Sequence, residues 1–352
     1  MNKIVTDDIL DVLNRDIDFT AFKNKTIMVT GANSQIASYL VFSLLALNKD
    51  KNYGMKVIGL VRNIEKAKRR FSDFTTEDGF SLLHQDVSNP IDYRDKVDII
   101  IHAASPASAY IMTKDPISII RANTVGTLNV LEFAREKKVE KVVFLSTREV
   151  YGDVAENSIK ETDIGKIDQL EIRSCYPEGK RMAENMLVCY QYQYQVPYLI
   201  TRIAHTYGPL MEIKNDGRIM SDLINFVVNE NEIRLNSDGS AIRAFCYITD
   251  TIDAILRVVA TQTNEVFNIA NEEEPISIKD LAELLIELQP KKKLTLSLQQ
   301  QNSAYSHGYL KTIRKQLDTV KIREIGWAPK IGLKTGLQRT LDFFEIEKQI
   351  TG

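Results

Sequence analysis

Apolar positions recur along this chain in two alternating rhythms. Short uninterrupted runs at Thr26 to Thr30, Lys56 to Val61, Phe80 to Gln85, Val97 to His102, Lys141 to Leu145 and Pro197 to Ile203 have the length and composition of strands buried on both faces. Between them lie segments with helical spacing, among them an apolar stretch through Leu47, a helix opening at Pro116 and another running from Pro177 to Tyr194. Strand and helix in alternation predict an α/β fold, a doubly wound parallel sheet. Glu265 to Ala270 is expected to return to that sheet, and Ser277 to Leu288 reads as an amphipathic helix with Ser277 as its cap. The sheet is predicted to occupy residues 22–203 plus 241–270, with an interleaved smaller lobe from 204–240 plus 271–345. Residues 1–21 form an N-terminal extension, in which Thr6 to Asp16 is expected to pack as a short amphipathic helix.

Composition narrows the function classes. Lys and Arg number 45 against 47 Asp and Glu, a formal net charge of -2, so no strongly basic face for nucleic acid is expected. Cys175, Cys189 and Cys246 are scattered without metal-ligand spacing, which fits a reducing compartment and predicts no metal site. No basic segment precedes an apolar core near Met1, and no apolar run spans a bilayer, so a cytoplasmic protein without membrane partners is expected. Lys291 to Lys293 reads as a solvated turn.

The chemistry concentrates at Ser146 to Gly152 and Tyr176 to Lys180. Thr147 and Glu149 fall at the carboxyl end of a predicted strand, where open α/β sheets place their ligands. Tyr176 and Lys180 are four residues apart in a helical segment, so a phenol and an ammonium face the same side. A nearby ammonium favours the phenolate and a threonine hydroxyl can bond the same oxygen, giving a general base. Pro177 is expected at the first helical position, with Tyr176 just outside the turn, and Gly179 is expected to remove bulk between Tyr176 and Lys180.

Ser-Thr-x-Glu-Val-Tyr-Gly-Asp, followed by Arg173-Ser174-Cys175-Tyr176-x-Glu178-Gly179-Lys180-Arg181-x-Ala183-Glu184, resembles the extended short-chain dehydrogenase/reductases that modify nucleotide sugars. Within them it is most similar to the UDP-glucuronate decarboxylase branch. The similarity runs from about Lys25 to Phe344. It implies a Rossmann cofactor domain, a nucleotide-sugar lobe, and a homodimer built through the helices after the fourth and fifth strands.

Gly31, Asn33, Ser34, Gln35 and Ile36 lie between a strand and a helix, where backbone N–H groups meet a dinucleotide pyrophosphate. The similar proteins carry three glycines here. This chain keeps the first, with Ser34 and Ala37 at the other two positions; Ser34 is expected to cap the helix or bond a phosphate. After the second strand stands Arg62 rather than an acid. An acid would accept from ribose hydroxyls whereas an Arg suits a 2′-phosphate, so the cofactor is NAD or NADP with a lean to NADP. Asp86 and Val87 resemble the family's adenine contact. Ala103, Ala104 and Ser105 are small enough to let the chain pass close over the cofactor. His102 and Asn123 read as structural.

The expected substrate ligands are Arg148, His205, Arg218, Arg243, Arg314 and Lys315. Relatives usually have Asn at the position of His205. Arg218 and Arg243 lie in segments that resemble a nucleotide-diphosphate clamp, and Arg314 and Lys315 compete to supply a closing cation.

The resemblance implies oxidation at sugar C4, with Tyr176 as base and Lys180 and Thr147 supporting it. Simple 4-epimerase relatives lack Glu149, and 4,6-dehydratases carry an Asp where this chain has Arg148, which cannot act as an acid near neutral pH. Decarboxylation needs no leaving-group acid, so UDP-glucuronate decarboxylation is the favoured reading. The alternatives are a 4,6-dehydratase, an epimerase, or a non-catalytic dinucleotide-binding regulator.

Overall fold

The computed structural model describes residues 1–74, 78–298 and 315–351, Thr351 by its backbone alone. Seven strands form one parallel sheet: β1 (Thr26–Thr30), β2 (Lys56–Val61), β3 (Phe80–His84), β4 (Ile99–His102), β5 (Lys141–Thr147), β6 (Tyr198–Ile203) and β7 (Glu265–Ile269). Their spatial order is β3-β2-β1-β4-β5-β6-β7. The strand order therefore reverses between β1 and β4, and a crevice opens there at the strands' carboxyl ends.

Helices cover both faces: α1 (Lys3–Leu13), α2 (Gln35–Lys51), α3 (Ile64–Arg70), α4 (Ala109–Lys114), α5 (Pro116–Asn123), α6 (Val125–Lys137), α7 (Cys175–Tyr194), α8 (Ile219–Asn229), α9 (Ile248–Thr261), α10 (Ile278–Glu287), α11 (Val320–Glu324) and α12 (Leu333–Thr351). Successive strand residues point to opposite faces. Val143 and Leu145 accordingly join a core with Leu40 and Leu44 of α2 and Ile252 and Ile255 of α9, while Val142 and Phe144 join Val130 of α6 and Leu187 of α7 on the other side. That two-sided burial is why the strands read as continuous apolar runs.

The helix expected from Pro116 is broken at Thr124, where the backbone leaves ideal helical geometry between α5 and α6. A Cβ on Gly179 would stand 3.1 Å from Asn123 Cβ. Gly179 thus allows α5 and α7 to touch, rather than merely separating Tyr176 from Lys180. Tyr176 also differs from expectation: α7 begins at Cys175, so Tyr176 lies inside its first turn, and Pro177 follows without disruption because first-turn N–H groups have no intrahelical partner.

The N-terminal helix is tied into the core. Asp8 is buried and accepts hydrogen bonds from Tyr39 and Tyr247 at 2.8 Å each and from Arg339 at 3.0 Å. Just beyond α1, Arg15 donates to Asp11 (2.6 Å), Asp250 (2.7 Å) and Asp253 (3.1 Å), and its side chain is 2% exposed. Removing one member of a buried ion pair leaves the other's charge without compensation. Arg15→Ala is therefore expected to cost about 3–5 kcal/mol, read as a lowered urea midpoint at unchanged slope; a loss under about 1 kcal/mol would place Arg15 among ordinary surface pairs.

Candidate active site

Parallel pairing brings the ends of β5 and β6 level, Thr147 opposite Ile203. The chain leaves β5 through a short 3-10 turn at Arg148–Tyr151, whose first N–H groups are turned back: Glu149 N–H donates to Thr147 Oγ1 at 3.2 Å. Thr147 and Tyr176 are both buried, and the Thr147 hydroxyl acts to lower the Tyr176 phenol. Lys180, one turn along α7, is also buried; its Nζ donates to Leu145 O at 2.7 Å and lies 4.4 Å from the Phe144 ring centre.

The charge states differ from the sequence expectation. Burial raises the Tyr176 phenol above its ordinary value and the Glu149 charge adds to this, while the Thr147 hydrogen bond and Arg218 pull the other way. Lys180 is not what lowers it, because the ammonium is turned back to the Leu145 carbonyl, 6.0 Å from the Tyr176 ring centre. Burial pushes Lys180 itself down to about 7, partly resisted by Glu184. Glu149 is partly exposed and meets Arg173 at 3.4 Å.

Under this site runs a polar brace that the sequence reading missed. Ser146 Oγ donates to Glu184 at 2.5 Å, and Arg202 grips the same carboxylate through Nε (3.1 Å) and Nη2 (2.6 Å). Arg202 also reaches Glu161 O at 2.8 Å and lies 4.7 Å from the Tyr151 ring centre, and Tyr151 donates to Asn268 Oδ1 at 2.6 Å. The brace joins β5, β6, β7 and α7. Its sequence signal was a charged residue, Arg202, inside an otherwise apolar strand.

The crevice between β1 and β4 fits a dinucleotide. Gly31 has a φ of +63°, and a Cβ there would stand 2.8 Å from Ala104 Cα, so only glycine lets these two loops meet. Thr30 Oγ1 accepts from Ala103 N–H and Ala104 N–H at 3.2 Å each, leaving its proton for His102 Nδ1 at 2.8 Å. His102 then donates through Nε2 to Thr127 at 3.2 Å, is buried, and is pushed down to about 3 by that burial. It is a packed residue. Ser105 Oγ is a buried polar atom without a protein partner.

The first helical bond of α2 runs from Ser38 N–H to Ser34 O, so the N–H groups of Gln35, Ile36 and Ala37 face out of its amino end. Ser34 stands at the N-cap but its hydroxyl makes no capping bond. The Gln35 side chain is turned away, donating to Gly208 O and Pro209 O at 3.0 Å each, and Asn33 donates to Asn63 O at 3.3 Å. Arg62 is exposed and 3.8 Å from Asp86, while Val87 is buried against Gly126. Among the described residues no group of three or more His, Cys, Asp or Glu could hold a metal ion.

Of the expected substrate ligands, Arg148 and His205 touch: Nη1 of Arg148 lies 2.8 Å from Nε2 of His205, and its Nη2 reaches Lys315 O at 3.4 Å. Arg243 acts electrostatically on both. Arg218 forms a fork on buried Asp216, at 2.5 and 3.0 Å. The Lys315 ammonium is turned to Asp153 at 2.8 Å and to Val154 O. Arg314 lies outside the described residues.

Residues 27–270 match the model of the NAD dependent epimerase/dehydratase family. The chain belongs to that family. It is 31% identical over 315 residues to UDP-glucuronic acid decarboxylase 6 of Arabidopsis thaliana, covering 89% of this chain and 87% of the relative. It is 30% identical to UDP-glucuronic acid decarboxylase 1 of Xenopus tropicalis, over 92% of this chain and 74% of that one. Among solved structures, a dTDP-glucose 4,6-dehydratase from Streptomyces venezuelae with NAD bound matches with a TM-score of 0.78 at 22% identity, covering 92% of this chain and 98% of the other. The doubly wound sheet is thus that of this NAD-dependent enzyme family, and no described helix is long and apolar enough to cross a membrane.

The buried ammonium makes a stability prediction with a definite sign. Folding lowers the Lys180 pKa from 10.5 to about 7, so the unfolded chain binds more protons between those values and stability attributable to this group rises with pH. With the cofactor removed, Lys180→Met is expected to raise the thermal midpoint by about 2–4 °C or more below pH 7. The gap should narrow as pH climbs toward 10.5. A variant less stable than the parent at pH 6 would contradict this.

Proposed function

We propose that this protein acts on nucleotide sugars through a 4-keto intermediate and that its reaction is the decarboxylation of UDP-glucuronate. The observation carrying the reading is the meeting of Tyr176, Thr147 and Glu149 at one strand end beside an Arg148 turned inward. The names of the curated relatives agree with it.

Gly31, the α2 amino end, Ala103, Ala104 and Ser105 would hold the dinucleotide, whose nicotinamide when bound accepts a hydride from sugar C4. Tyr176, as the phenolate, takes the C4 hydroxyl proton while Thr147 holds the same oxygen, a charge state that Lys180 favours only when its ammonium turns from the Leu145 carbonyl toward the phenol. Once C4 is a ketone, the neighbouring carboxylate is β to it, and loss of carbon dioxide leaves the electron pair on the C4 oxygen. Tyr176, now protonated, hydrogen-bonds that oxygen while C5 takes a proton from solvent; the hydride would then return to C4 as Tyr176 gives its proton to the C4 oxygen, leaving the pentose with no net oxidation. Glu149 orients the sugar, and Arg148 selects an anionic substrate by pairing with its carboxylate before departure. A dehydratase would need an acid where Arg148 stands, and a guanidinium does not release a proton near neutral pH.

The cofactor preference rests on Arg62, exposed at the end of β2 and free to turn from Asp86 toward a 2′-phosphate. Assembly rests on an apolar face of α5, α6 and α7: Ile117, Ile120, Val125, Leu128, Met182, Val188 and Tyr192 are all more than 40% exposed. A second copy would bury this face in a four-helix contact.

Purified protein with UDP-glucuronate should release carbon dioxide and yield a pentose nucleotide by NMR, and Tyr176→Phe should lose at least about a hundredfold in turnover while retaining cofactor and sugar-nucleotide binding. A 4-keto-6-deoxy product from an uncharged hexose nucleotide, with UDP-glucuronate inert, would establish a dehydratase; tight cofactor binding without turnover on any sugar nucleotide would revive the regulator. Arg62→Ala should weaken NADP about tenfold or more and NAD hardly at all. Equal losses, or purified protein carrying NAD, would remove the NADP lean. Light scattering at micromolar concentration should give twice the 40.0 kDa chain mass, and a monomer would contradict the helix contact.

A further inference from the structure

Arg148 and His205 sit on different strand ends yet meet. Thr147 and Ile203 are paired across β5 and β6, which places Arg148 one residue past one strand and His205 two residues past the other. His205 adopts the left-handed region with φ of 49°, uncommon for residues other than glycine. The Phe245 ring lies 5.8 Å away at 55°, and His205 O accepts from Cys246 N–H at 3.1 Å. Both neighbours limit where the imidazole can move.

The contact fixes the imidazole's proton. A guanidinium only donates, so Nε2 of His205 must be the acceptor and the ring is neutral with its hydrogen on Nδ1. Burial and the flanking charges of Arg148 and Arg243 push His205 down to about 3, in agreement with that state. Burial likewise disfavours the charge on Arg148, opposed by Glu272 and Glu149. The Arg148 guanidinium thus meets a neutral ring, with the Arg243 charge acting on both, one residue along the chain from Thr147.

We infer that His205 is a positioning residue that sets substrate selectivity: by accepting from Nη1 it aims the Arg148 guanidinium at the sugar beside Thr147, where the N–H groups not engaged by His205 and Lys315 O pair with a ring carboxylate. This deepens the proposed function and rests on it for the identity of the anion. An unheld arginine would spend rotamer freedom on binding any anion, whereas one held by His205 has already lost it. The pair also disfavours neutral sugars, since an uncharged hydroxymethyl group offers no anion to the buried guanidinium charge.

The test measures calorimetric affinities of UDP-glucuronate, UDP-glucose and UDP for the cofactor-loaded Tyr176→Phe protein, in which turnover is blocked, as the parent, and for the same protein carrying Arg148→Ala, His205→Ala or His205→Gln. UDP serves as the internal control for folding and diphosphate binding. The parent should prefer UDP-glucuronate over UDP-glucose. Arg148→Ala and His205→Ala should each reduce that ratio about tenfold with UDP little changed, and His205→Gln, whose amide oxygen can accept from Arg148, should restore most of it. A ratio that survives His205→Ala but falls in Arg148→Ala overturns the positioning role while leaving the proposed function intact. Equal weakening of all three ligands in His205→Ala overturns it too, as a merely structural effect. A ratio that falls in both alanine variants and returns with Gln, when the protein with Tyr176 intact releases no carbon dioxide, keeps the pair and discards decarboxylation.

Discussion

The site depends on keeping an ammonium in an apolar wall. Lys180 is 2% exposed, stacked on Phe144, and donates to the Leu145 carbonyl. A lysine buried in this way lowers its own pKa and opposes folding below it. The surroundings must therefore hold their shape without help from that charge. They do so through the parallel sheet, whose two apolar cores fix β5 against β6, and through the Ser146, Glu184 and Arg202 brace just beneath the strand ends.

The same brace explains how distant parts of the chain come to share one site. Arg202 and Asn268 extend it to the loop at Ile159 and Glu161 and to the C-terminal segment at Asp318. Arg148 adds a second tie, reaching His205 and the Lys315 carbonyl. On the far side of the cofactor crevice, Gln35 binds the carbonyls of Gly208 and Pro209, so the dinucleotide loop is fastened to the segment that follows β6. Each tie uses a polar side chain to bridge elements that the hydrophobic pattern alone would leave free to slide.

The sheet was legible because its strands are buried on both faces and their apolar runs survive as uninterrupted stretches. The family match over residues 27–270 agrees with the resemblance carried by the Tyr176 and Glu149 segments. Local geometry was less legible. Proline at position 177 suggested a helix start, but a first turn tolerates proline at more than one position, and α7 begins two residues earlier. Thr124 breaks a helix without a proline or glycine, through backbone geometry that periodicity does not encode. Charge states were least legible of all: the four-residue spacing placed Tyr176 and Lys180 on one side, yet the direction of the ammonium depends on a carbonyl thirty-five residues earlier in sequence. The Arg148 and His205 contact was invisible for the same reason, although each residue separately had drawn notice.

In the proposed reaction, oxidation at C4 comes before loss of the carboxylate. Rapid mixing of the cofactor-loaded protein with UDP-glucuronate, followed by nicotinamide absorbance and carbon dioxide release on one time axis, tests it most directly. Reduced nicotinamide should rise before carbon dioxide appears and decay as the pentose nucleotide forms, with deuterium at sugar C4 slowing the rise. Carbon dioxide released with no prior reduction, or with no effect of the label on the rise, would contradict the account.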